Sequence, residues 1–452
     1  QLMLLEVEPG VYEAEVEKEA NRPEEEKRVV VKRREHFGRN ELPAHLPRIE
    51  EIIEVEEEKR KCACCGQEKE VIGYEEKEVL DMEPVKYFVR VYKREKLACK
   101  RCPEGGVDTA KPAGPKIVEK GKLSDAMVVD IILKKYNDHL PLYRQEAIVE
   151  RDFKIEISRT TMNQAVIAAG SLLMPIREAM KRDLLEGRYI QADETTVGVQ
   201  SNLKVGSNHQ AYEFQYSRPG GPVVFDFQMS RSREGPKKFL KDYEGILQCD
   251  GYQGYEKIGA CGIKLAGCFA HVRRNFVDAH KLDPNNRDAA NVVELIARIY
   301  AVDAKARQEK LDAKGREQLR KEHSVSLFEE LKEKIIEIKS RTLPASTLAK
   351  ACNYALGQWS KLEVIFQHGI VELDNNWCEN AMRPIALGRK NWLHIGSEGA
   401  GPKIAAILSV LATCKRMEID VRAYLNEVLP KLPDWPINKV DLLTPQAWKA
   451  AR

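Results

Sequence analysis

The stretch DNNWCENAMRPIALGRKNW, residues Asp374 to Trp392, decides how the rest of the chain is interpreted. Asp374 and Asn375 predict a helix start, because short polar side chains accept hydrogen bonds from the free N–H groups of a first turn. Glu379 and Arg383 lie four residues apart and therefore share one face of that helix. We expect Asp374 to cap the helix and Glu379 to project a carboxylate from it.

The second half of the stretch carries cations and an aromatic ring. Pro384 is expected to interrupt the helix, because proline lacks an N–H and clashes with the preceding turn. Arg389, Lys390 and Trp392 would then follow in a polar loop. A carboxylate backed by cations suits a site that holds metal ions beside a phosphate backbone. A solvated, capped helix with an Arg–Glu pair is the alternative.

Composition limits the class of protein. At 452 residues the chain is long enough for roughly two to four domains. Its 73 Lys and Arg against 70 Asp and Glu give a net charge of +3, which says little about partners. No apolar run approaches the roughly 20 residues that span a bilayer, and the first residues do not have the pattern of a signal peptide. We therefore expect a cytoplasmic protein without a membrane partner.

Two C-x-x-C pairs lie near the N-terminus. The segment CACCG contains Cys62 and Cys65, and CKRC contains Cys99 and Cys102. Two such pairs supply the four thiolates of a closed, tetrahedral structural zinc site, and the strand-like sequence between them predicts a zinc ribbon. Cys64 could replace Cys62 as a ligand, and a chance grouping of buried thiols is the alternative.

Basic and aromatic residues are interleaved along the second half of this ribbon. The segment from Lys86 to Arg101 is rich in cations and contains Tyr87, Phe88 and Tyr92. We expect basic strands here, and the pattern is typical of a surface that follows a phosphate backbone. The mixed charges that precede the ribbon predict a solvated tail or linker.

A helical segment follows the Gly- and Pro-rich linker at 105–120. Two short helices, the first capped by Ser124, precede a third that opens at Ser158 or Thr160. This order resembles a helix-turn-helix, whose last helix would present Arg159 and its neighbours to a DNA groove. A plain helical connector without DNA contact is the alternative.

The sequence then becomes strand-like. Three runs separated by turn residues, within 186–230, predict an antiparallel meander in an α/β layer. Asp193 is expected at the end of the first strand and Asp250 at the end of a later one. Strongly helical sequence at 281–365 predicts an insertion ahead of Glu379.

The three carboxylates suggest a metal site. Hard oxygen ligands are what Mg²⁺ or Mn²⁺ requires, and two ions about 4 Å apart can activate an attacking oxygen and stabilise a leaving oxygen in phosphoryl transfer. Asp193, Asp250 and Glu379 are therefore the candidate catalytic and metal-binding residues. Taken singly, each acid could instead be a helix cap or a surface residue.

Motifs along nearly the whole chain from about Glu41 resemble the transposases of the insertion sequence sixty-six family, the TnpC-type proteins of mobile elements. They are CACCG, CKRC, LPLYRQE, ISRTTM, ADET, DGYQGY, GCFAHVRRNF, the stretch from Asp374 to Trp392 and LLTPQAW. The resemblance implies a ribonuclease H-like core with a DDE triad at Asp193, Asp250 and Glu379. It also implies cleavage at the element's ends, followed by strand transfer. In AHVRRNF, His271, Arg273 and Arg274 are expected at DNA phosphates near the metals.

We therefore predict an α/β catalytic core, ribonuclease H-like with a mixed sheet and helices. It carries an all-helical insertion and follows a zinc ribbon and a helix-turn-helix-like segment. The expected ranges are 1–60 for the charged segment, 61–104 for the zinc ribbon, 105–120 for the linker, 121–185 for the helix-turn-helix-like segment, 186–280 and 366–418 for the two parts of the core, 281–365 for the insertion and 419–452 for the tail.

The predicted function is a DNA transposase with two Mg²⁺ or Mn²⁺ ions in its active site and a structural Zn²⁺. Expected partners are terminal-repeat and target DNA, a second copy of the chain, and accessory proteins of the same element. Expected DNA contacts are Arg159, His271, Arg273, Arg274, Arg383, Arg389 and Lys390. An inactive copy acting as a DNA-binding regulator and a ribonuclease H-like nuclease are the alternatives. The resemblance also leads us to expect a leucine-rich helical segment ahead of the zinc module, where the given residues form only a short charged segment.

Overall fold

The computed structural model describes residues 121–452 apart from 202–206, 257, 259–261 and 393, together with 64, 67, 86–98, 107–110 and 116–119 upstream. The predicted zinc ligands Cys62, Cys65, Cys99 and Cys102 lie outside the described residues, so the zinc site stays a prediction. Within the smaller of two compact units, Pro23–Val91, the guanidinium of Arg90 lies 5.6 Å from the centroid of the exposed Phe88 ring.

The larger unit contains a short hairpin ahead of the helices. Strand β1 (Lys96–Ala98) pairs with β2 (Val107–Thr109) in antiparallel register. The strands predicted along the basic segment are therefore wrong over residues 86–95, which adopt no regular structure. Tyr92 is half exposed, as a surface that contacts nucleic acid would require.

Three helices follow, α1 (Asp125–Tyr136), α2 (Leu142–Phe153) and α3 (Arg159–Leu185). The caps are as predicted, since the Ser124 hydroxyl accepts from Met127 N and the Ser158 hydroxyl from Thr161 N. Helix α3 is longer than a recognition helix, and its buried face packs along a helix of the core. Its first turn remains exposed, so DNA contact by Arg159 stays a prediction.

Close packing of α3 against helix α12 (Gly401–Arg416) depends on Gly170. A Cβ at this position would lie 2.7 Å from the carbonyl oxygen of Lys403. Because that atom belongs to the backbone, Gly170→Ala should force the helices apart and cost about 1–3 kcal/mol. This exceeds the roughly 1 kcal/mol that alanine gains in helix propensity. We expect a lower melting temperature, measured by circular dichroism.

Gly357 provides the control for this prediction. It lies in a helix of the insertion, and a Cβ there would meet no atom within 4 Å. Gly357→Ala should therefore be neutral or stabilising. Equal melting temperatures for the two variants would contradict the close packing of α3 on α12.

The central sheet is mixed. Its strands are β3 (Tyr189–Val199), β4 (His209–Ser217), β5 (Val223–Gln228), β6 (Ile246–Gln248), β7 (Lys264–Ala266) and β8 (His394–Ile395). The first three form the predicted antiparallel meander, in the order β5-β4-β3, and β6 and β7 continue the sheet in parallel. Helix α4 (Glu234–Phe239) and a 3-10 helix (Gln253–Tyr255) lie between the strands in sequence.

Strand β3 has two different neighbours on its parallel side. There β6 pairs with Tyr189–Gln191 and β8 pairs with Gly198–Val199. Asp193 falls between the two, so its predicted position at the end of a strand is wrong. The strand continues to Val199 because β4 pairs with it throughout, and only the parallel ladder ends before Asp193. Asp250 does follow the end of β6, as predicted.

Helices cover the sheet and form the predicted helical insertion. Helix α5 (Phe269–Leu282) follows β7, and the insertion contains α6 (Arg287–Gln308), α7 (Ala313–His323), α8 (Val325–Arg341), α9 (Thr347–Gly357) and α10 (Trp359–Leu362). Their apolar faces form a core with α5, and a second core joins the sheet to α1, α3 and α12. The chain ends with α13 (Val421–Val428) and α14 (Pro445–Ala450).

Helix α11 (Asn376–Trp392) spans nearly all of the stretch that begins at Asp374. The predicted interruption at Pro384 is wrong, and Arg389, Lys390 and Trp392 lie on the helix rather than in a loop. Proline removes one hydrogen bond and costs about 3 kcal/mol in a helix interior. Burial of the apolar face on both sides of Pro384, including Met382 and Ile385, offsets that cost.

Within the part of the chain that the structure describes, none of the helices combines the length and apolarity needed to cross a membrane.

Candidate active site

Asp193 and Asp250 lie just beyond the same end of a parallel ladder. The ladder between β3 and β6 ends with Gln191 opposite Gln248, and each aspartate follows its glutamine by two residues. On β3, side chains two apart share a face, so Asp193 lies on the face of Gln191. Asp250 follows the end of β6. The pattern Gln-x-Asp occurs at both strands, in QAD and QCD, and is a sequence signal that the prediction of these two aspartates did not use.

A buried amide network fixes these strands to the segment ahead of α11. Gln191 Nε2 donates to Gln248 Oε1 at 2.9 Å and to the Asp374 carbonyl at 2.8 Å. Gln248 Nε2 donates to the carbonyls of Gly267 and Glu372, each at 2.8 Å. Both glutamines are fully buried, so these bonds replace the hydrogen bonds to water that the amide groups lost on folding. The network therefore fixes the start of α11, the helix that carries Glu379, relative to β3 and β6.

Asp374 closes the start of α11 as predicted. Its Oδ1 accepts from Asn376 N at 3.1 Å and its Oδ2 from the Tyr300 hydroxyl at 2.9 Å. Burial raises the pKa of Asp374 to about 6, although these hydrogen bonds oppose the rise. The carboxylate is therefore committed to holding the turn, which leaves Glu379 as the acid that projects from α11.

Glu379 faces the first turns of α5. Arg274 Nη2 lies 3.3 Å from Glu379 Oε2, and His271 Nε2 lies 3.7 Å from Glu379 Oε1. The Oε1 atom is buried and has no hydrogen-bond partner among the described residues. Burial lowers the pKa of His271, although the nearby Glu379 carboxylate opposes that shift.

Nearby carboxylates act on the pKa of Asp193. Burial raises the pKa of Asp193 to about 8, and the carboxylates of Glu379, Glu194 and Asp250 contribute to that rise. The Asp250 carboxylate accepts only from the backbone N of Tyr252, at 2.9 Å, among the described groups. Acids brought together without enough cations favour a bound cation.

The donor set fits hard divalent ions. Asp193, Asp250 and Glu379 offer carboxylate oxygens, and Oε1 of Glu379 is unused. Among the described residues the three acids do not form a group whose ligand atoms all lie within 4.8 Å of one another.

Glu194 has a separate role on the opposite face of β3. Its side chain is 3% exposed and accepts from Arg231 Nε at 2.9 Å and from the Tyr255 hydroxyl at 3.1 Å. These partners satisfy the carboxylate, so we exclude it from the candidate metal ligands. Gly251, with a φ of +95°, allows the chain to turn after Asp250.

The predicted DNA contacts differ in their surroundings. Arg389 Nη1 donates to Thr195 Oγ1 at 3.0 Å and to the Thr196 carbonyl at 2.8 Å, which anchors α11 to β3. Arg159 pairs with Glu146 at 2.9 Å. The remaining predicted contacts lie on α5 or α11. Among them, Arg383 and Lys390 have no ion-pair partner in the part of the chain that the structure describes.

The raised pKa of Asp193 predicts a dependence of stability on pH. The pKa of the Asp193 carboxyl is about 8 in the folded protein and 3.8 in the unfolded chain. Between about pH 4 and pH 8 the folded protein therefore binds more protons than the unfolded chain. Stability should therefore fall as pH rises from about 4 to 8. Without divalent ions, Asp193→Asn should be more stable than the wild type at pH 8 and similar at pH 4, measured by urea unfolding. A difference that does not change with pH would contradict the burial of this charge.

The chain matches three family models and is similar to curated proteins along most of its length. The model of the family described as "Transposase IS66 family" matches residues 120–403. A model for the "zinc-finger binding domain of transposase IS66" matches residues 59–103, and one for the "IS66 C-terminal element" matches residues 409–446. The uncharacterized protein y4qI of Sinorhizobium fredii is 33% identical over 467 residues, covering 98% of this chain and 82% of y4qI. The uncharacterized protein y4jD of the same organism is 31% identical over 428 residues, covering 90% of this chain and 82% of y4jD.

Proposed function

Because the chain belongs to the IS66 family of DDE transposases, we propose that it cleaves phosphodiester bonds at the ends of an insertion sequence and joins the freed 3′-hydroxyl groups to target DNA. The observation that supports the proposal best is the electrostatic effect of the Glu379 and Asp250 carboxylates on Asp193, which adds to burial in raising the pKa of Asp193 to about 8. Such a cluster lowers the stability of the free protein, which is the expected trade-off at a functional site.

The residues of the site would act mainly by positioning and by charge. Two Mg²⁺ or Mn²⁺ ions, when bound, would supply Lewis-acid stabilisation of the phosphate and activation of the attacking oxygen. Asp193 and Asp250 would hold them from the sheet, and Glu379 from α11. In each step the P–O bond to the attacking water or 3′-hydroxyl forms as the bond to the leaving oxygen breaks, and the attacking group's proton passes to solvent.

Cations near Glu379 would hold the DNA backbone. Arg274 is half exposed while it pairs with Glu379, so it can also contact a phosphate. Arg383 and Lys390 lie on α11 beyond Glu379, and among the described residues neither has an ion-pair partner. Uncompensated cations beside a catalytic site favour a polyanionic substrate.

A cavity near the first turn of α3 supports a second DNA contact. Its volume is about 320 Å³, and its lining includes Lys135, Asn163, His394 and Lys403. Burial lowers the pKa of Lys135 to about 8, and no carboxylate contributes to that shift. Cations without acidic partners suit a phosphate group. The family's zinc-finger domain, matched at residues 59–103, suggests a bound Zn²⁺ and would add a further DNA contact.

A gel-shift assay combined with a nicking assay tests the function. Terminal-repeat DNA is incubated with the protein with and without Mg²⁺. A transposase binds the DNA in both conditions and cuts it only with Mg²⁺. A DNA-binding regulator would bind without cutting, and a nuclease of the ribonuclease H type would cut hybrid or branched DNA without preference for the repeats. Either of the last two results would overturn the proposal.

A further inference from the structure

A second group of ligand atoms lies beside the three acids. Ligand atoms of Cys268, His271 and Glu379 all lie within 4.8 Å of one another. Cys268 precedes α5 and His271 lies in its first turn, so the spacing of three residues places both on one side of the helix start. Glu379 reaches them from α11. Thiol, imidazole and carboxylate therefore meet from two helices.

One carboxylate oxygen suited to metal binding is left unused in this group. Oε2 of Glu379 pairs with Arg274, whereas Oε1 faces His271 Nε2 at 3.7 Å and forms no hydrogen bond with the described residues. Cys268 is 2% exposed and is not in a disulfide. A buried carboxylate oxygen without a partner costs free energy, and an ion at this point would remove that cost.

The chemistry of these ligands differs from that of the acid site. A thiolate and an imidazole favour Zn²⁺ and related ions, whereas Mg²⁺ prefers oxygen alone. Three protein ligands of this kind leave a fourth tetrahedral position for water. Binding would release the Cys268 proton to solvent, so the affinity should fall as pH falls.

We propose that Cys268, His271 and Glu379 form a binding site for Zn²⁺ or a similar thiophilic divalent ion, and that its occupation withdraws Glu379 from the acid site and stops DNA cleavage. The binding half of this proposal depends only on the geometry. The inhibitory half rests on the proposed transposase function, because it requires Glu379 to serve cleavage. The Glu379 carboxylate would then bind the catalytic ions in the active state and the thiophilic ion in the arrested state.

Cobalt absorption tests the binding half. The full-length protein, with Zn²⁺ at its zinc finger, is first dialysed against a chelator that removes Zn²⁺ from a three-ligand site but leaves the closed four-thiolate finger loaded, and is then titrated with Co²⁺. Zn²⁺ binds more tightly than Co²⁺, so the finger retains its ion. We expect one equivalent of Co²⁺ to produce a thiolate-to-cobalt absorption band, and Cys268→Ser to abolish that band. Cys352→Ser, which removes another buried thiol on α9, is the matched control and should retain it.

A cleavage assay tests the inhibitory half. At fixed Mg²⁺, added Zn²⁺ should inhibit the wild type and Cys352→Ser equally. Cys268→Ser should cleave normally without Zn²⁺ and need more than about tenfold higher Zn²⁺ for half-inhibition, since loss of even an outer-shell partner costs about 10–100-fold in affinity. Melting curves confirm that each variant is folded.

The two assays fail in different ways. No thiolate band in the wild type, or an equal band in Cys268→Ser, would overturn the metal site whatever the enzyme does. A band without inhibition, or equal inhibition of Cys268→Ser, would overturn the arrested state. Absence of cleavage by every variant would overturn the proposed function and with it the inhibitory half, while the cobalt band would still decide the binding half.

Discussion

Asp193→Asn, Asp250→Asn and Glu379→Gln should each abolish DNA cleavage while leaving DNA binding nearly intact. Each change keeps the shape of the side chain and removes one negative oxygen ligand. Phosphoryl transfer depends on positioning and on charge stabilisation, and loss of one stabilising group typically costs about 10²–10³-fold in rate. Loss of a shared metal ligand should cost at least that much. Asp193→Asn should also relieve the burial and repulsion that raise the pKa of this carboxyl to about 8.

Single-turnover cleavage of terminal-repeat DNA measures this effect, and a gel shift measures binding by the same variants. Asp278→Asn is the matched control. Asp278 is an exposed acid on α5, the helix that carries His271 and Arg274, and it pairs only with Lys281, at 3.6 Å, among the described residues. The Asp278→Asn variant should cleave DNA at the wild-type rate. Normal cleavage by any two of the three triad variants would refute the triad.

Arg320→Met should cost about 3–5 kcal/mol of unfolding free energy, because it leaves a buried charge without its main partner. The side chains of Arg320 and Asp303 are each 1% exposed, and Arg320 Nε donates to Asp303 Oδ1 at 2.8 Å. Arg320 Nη1 also donates to the Val371 carbonyl at 2.8 Å. The pair therefore joins the insertion to the segment that leads into α11, and we expect weaker cleavage as well.

Urea unfolding measures this loss, and two further variants interpret it. The double variant Asp303→Leu, Arg320→Met replaces the pair with apolar side chains and should recover most of the stability. Arg298→Met removes a half-exposed pair with Glu330, at 3.5 Å, and should cost less than about 1 kcal/mol. If Arg320→Met and Arg298→Met lose equal stability, the buried pair does not hold the insertion to the core.

Local patterns in the sequence were sufficient to predict several parts of the fold. Strand-like runs separated by turn residues predicted the meander β3-β4-β5, and short polar residues predicted the caps at Ser124, Ser158 and Asp374. These features depend on neighbours in the chain, so a single sequence contains their signal. The assignment of Asp193 and Asp250 to strands also followed from local pattern.

Features that depend on tertiary contacts were not predicted. Pro384 was expected to end its helix, but burial of Met382 and Ile385 keeps α11 continuous. Arg389 was expected to contact DNA from a loop, yet the helix turns it toward β3. The position of Asp193 within a strand depends on β4, which supports β3 beyond the point where β6 ends.

Pairings over long separations in sequence were also beyond local patterns. Arg320 and Asp303 belong to different helices, and Gln191 and Gln248 to different strands. Each looks like an ordinary surface residue when only its neighbours are considered. Contact between them depends on how the helices of the insertion pack together and on which strands pair in the sheet, which no short segment specifies.

Crystals of the protein with terminal-repeat DNA and Mn²⁺ would test the central claim most directly, because anomalous scattering locates the ions. We expect two peaks about 4 Å apart, with Asp193 between them and with Asp250 and Glu379 each on one ion. Ions bound away from these three carboxylates, or none at the DNA end in a complex that cleaves DNA, would contradict the proposed active site.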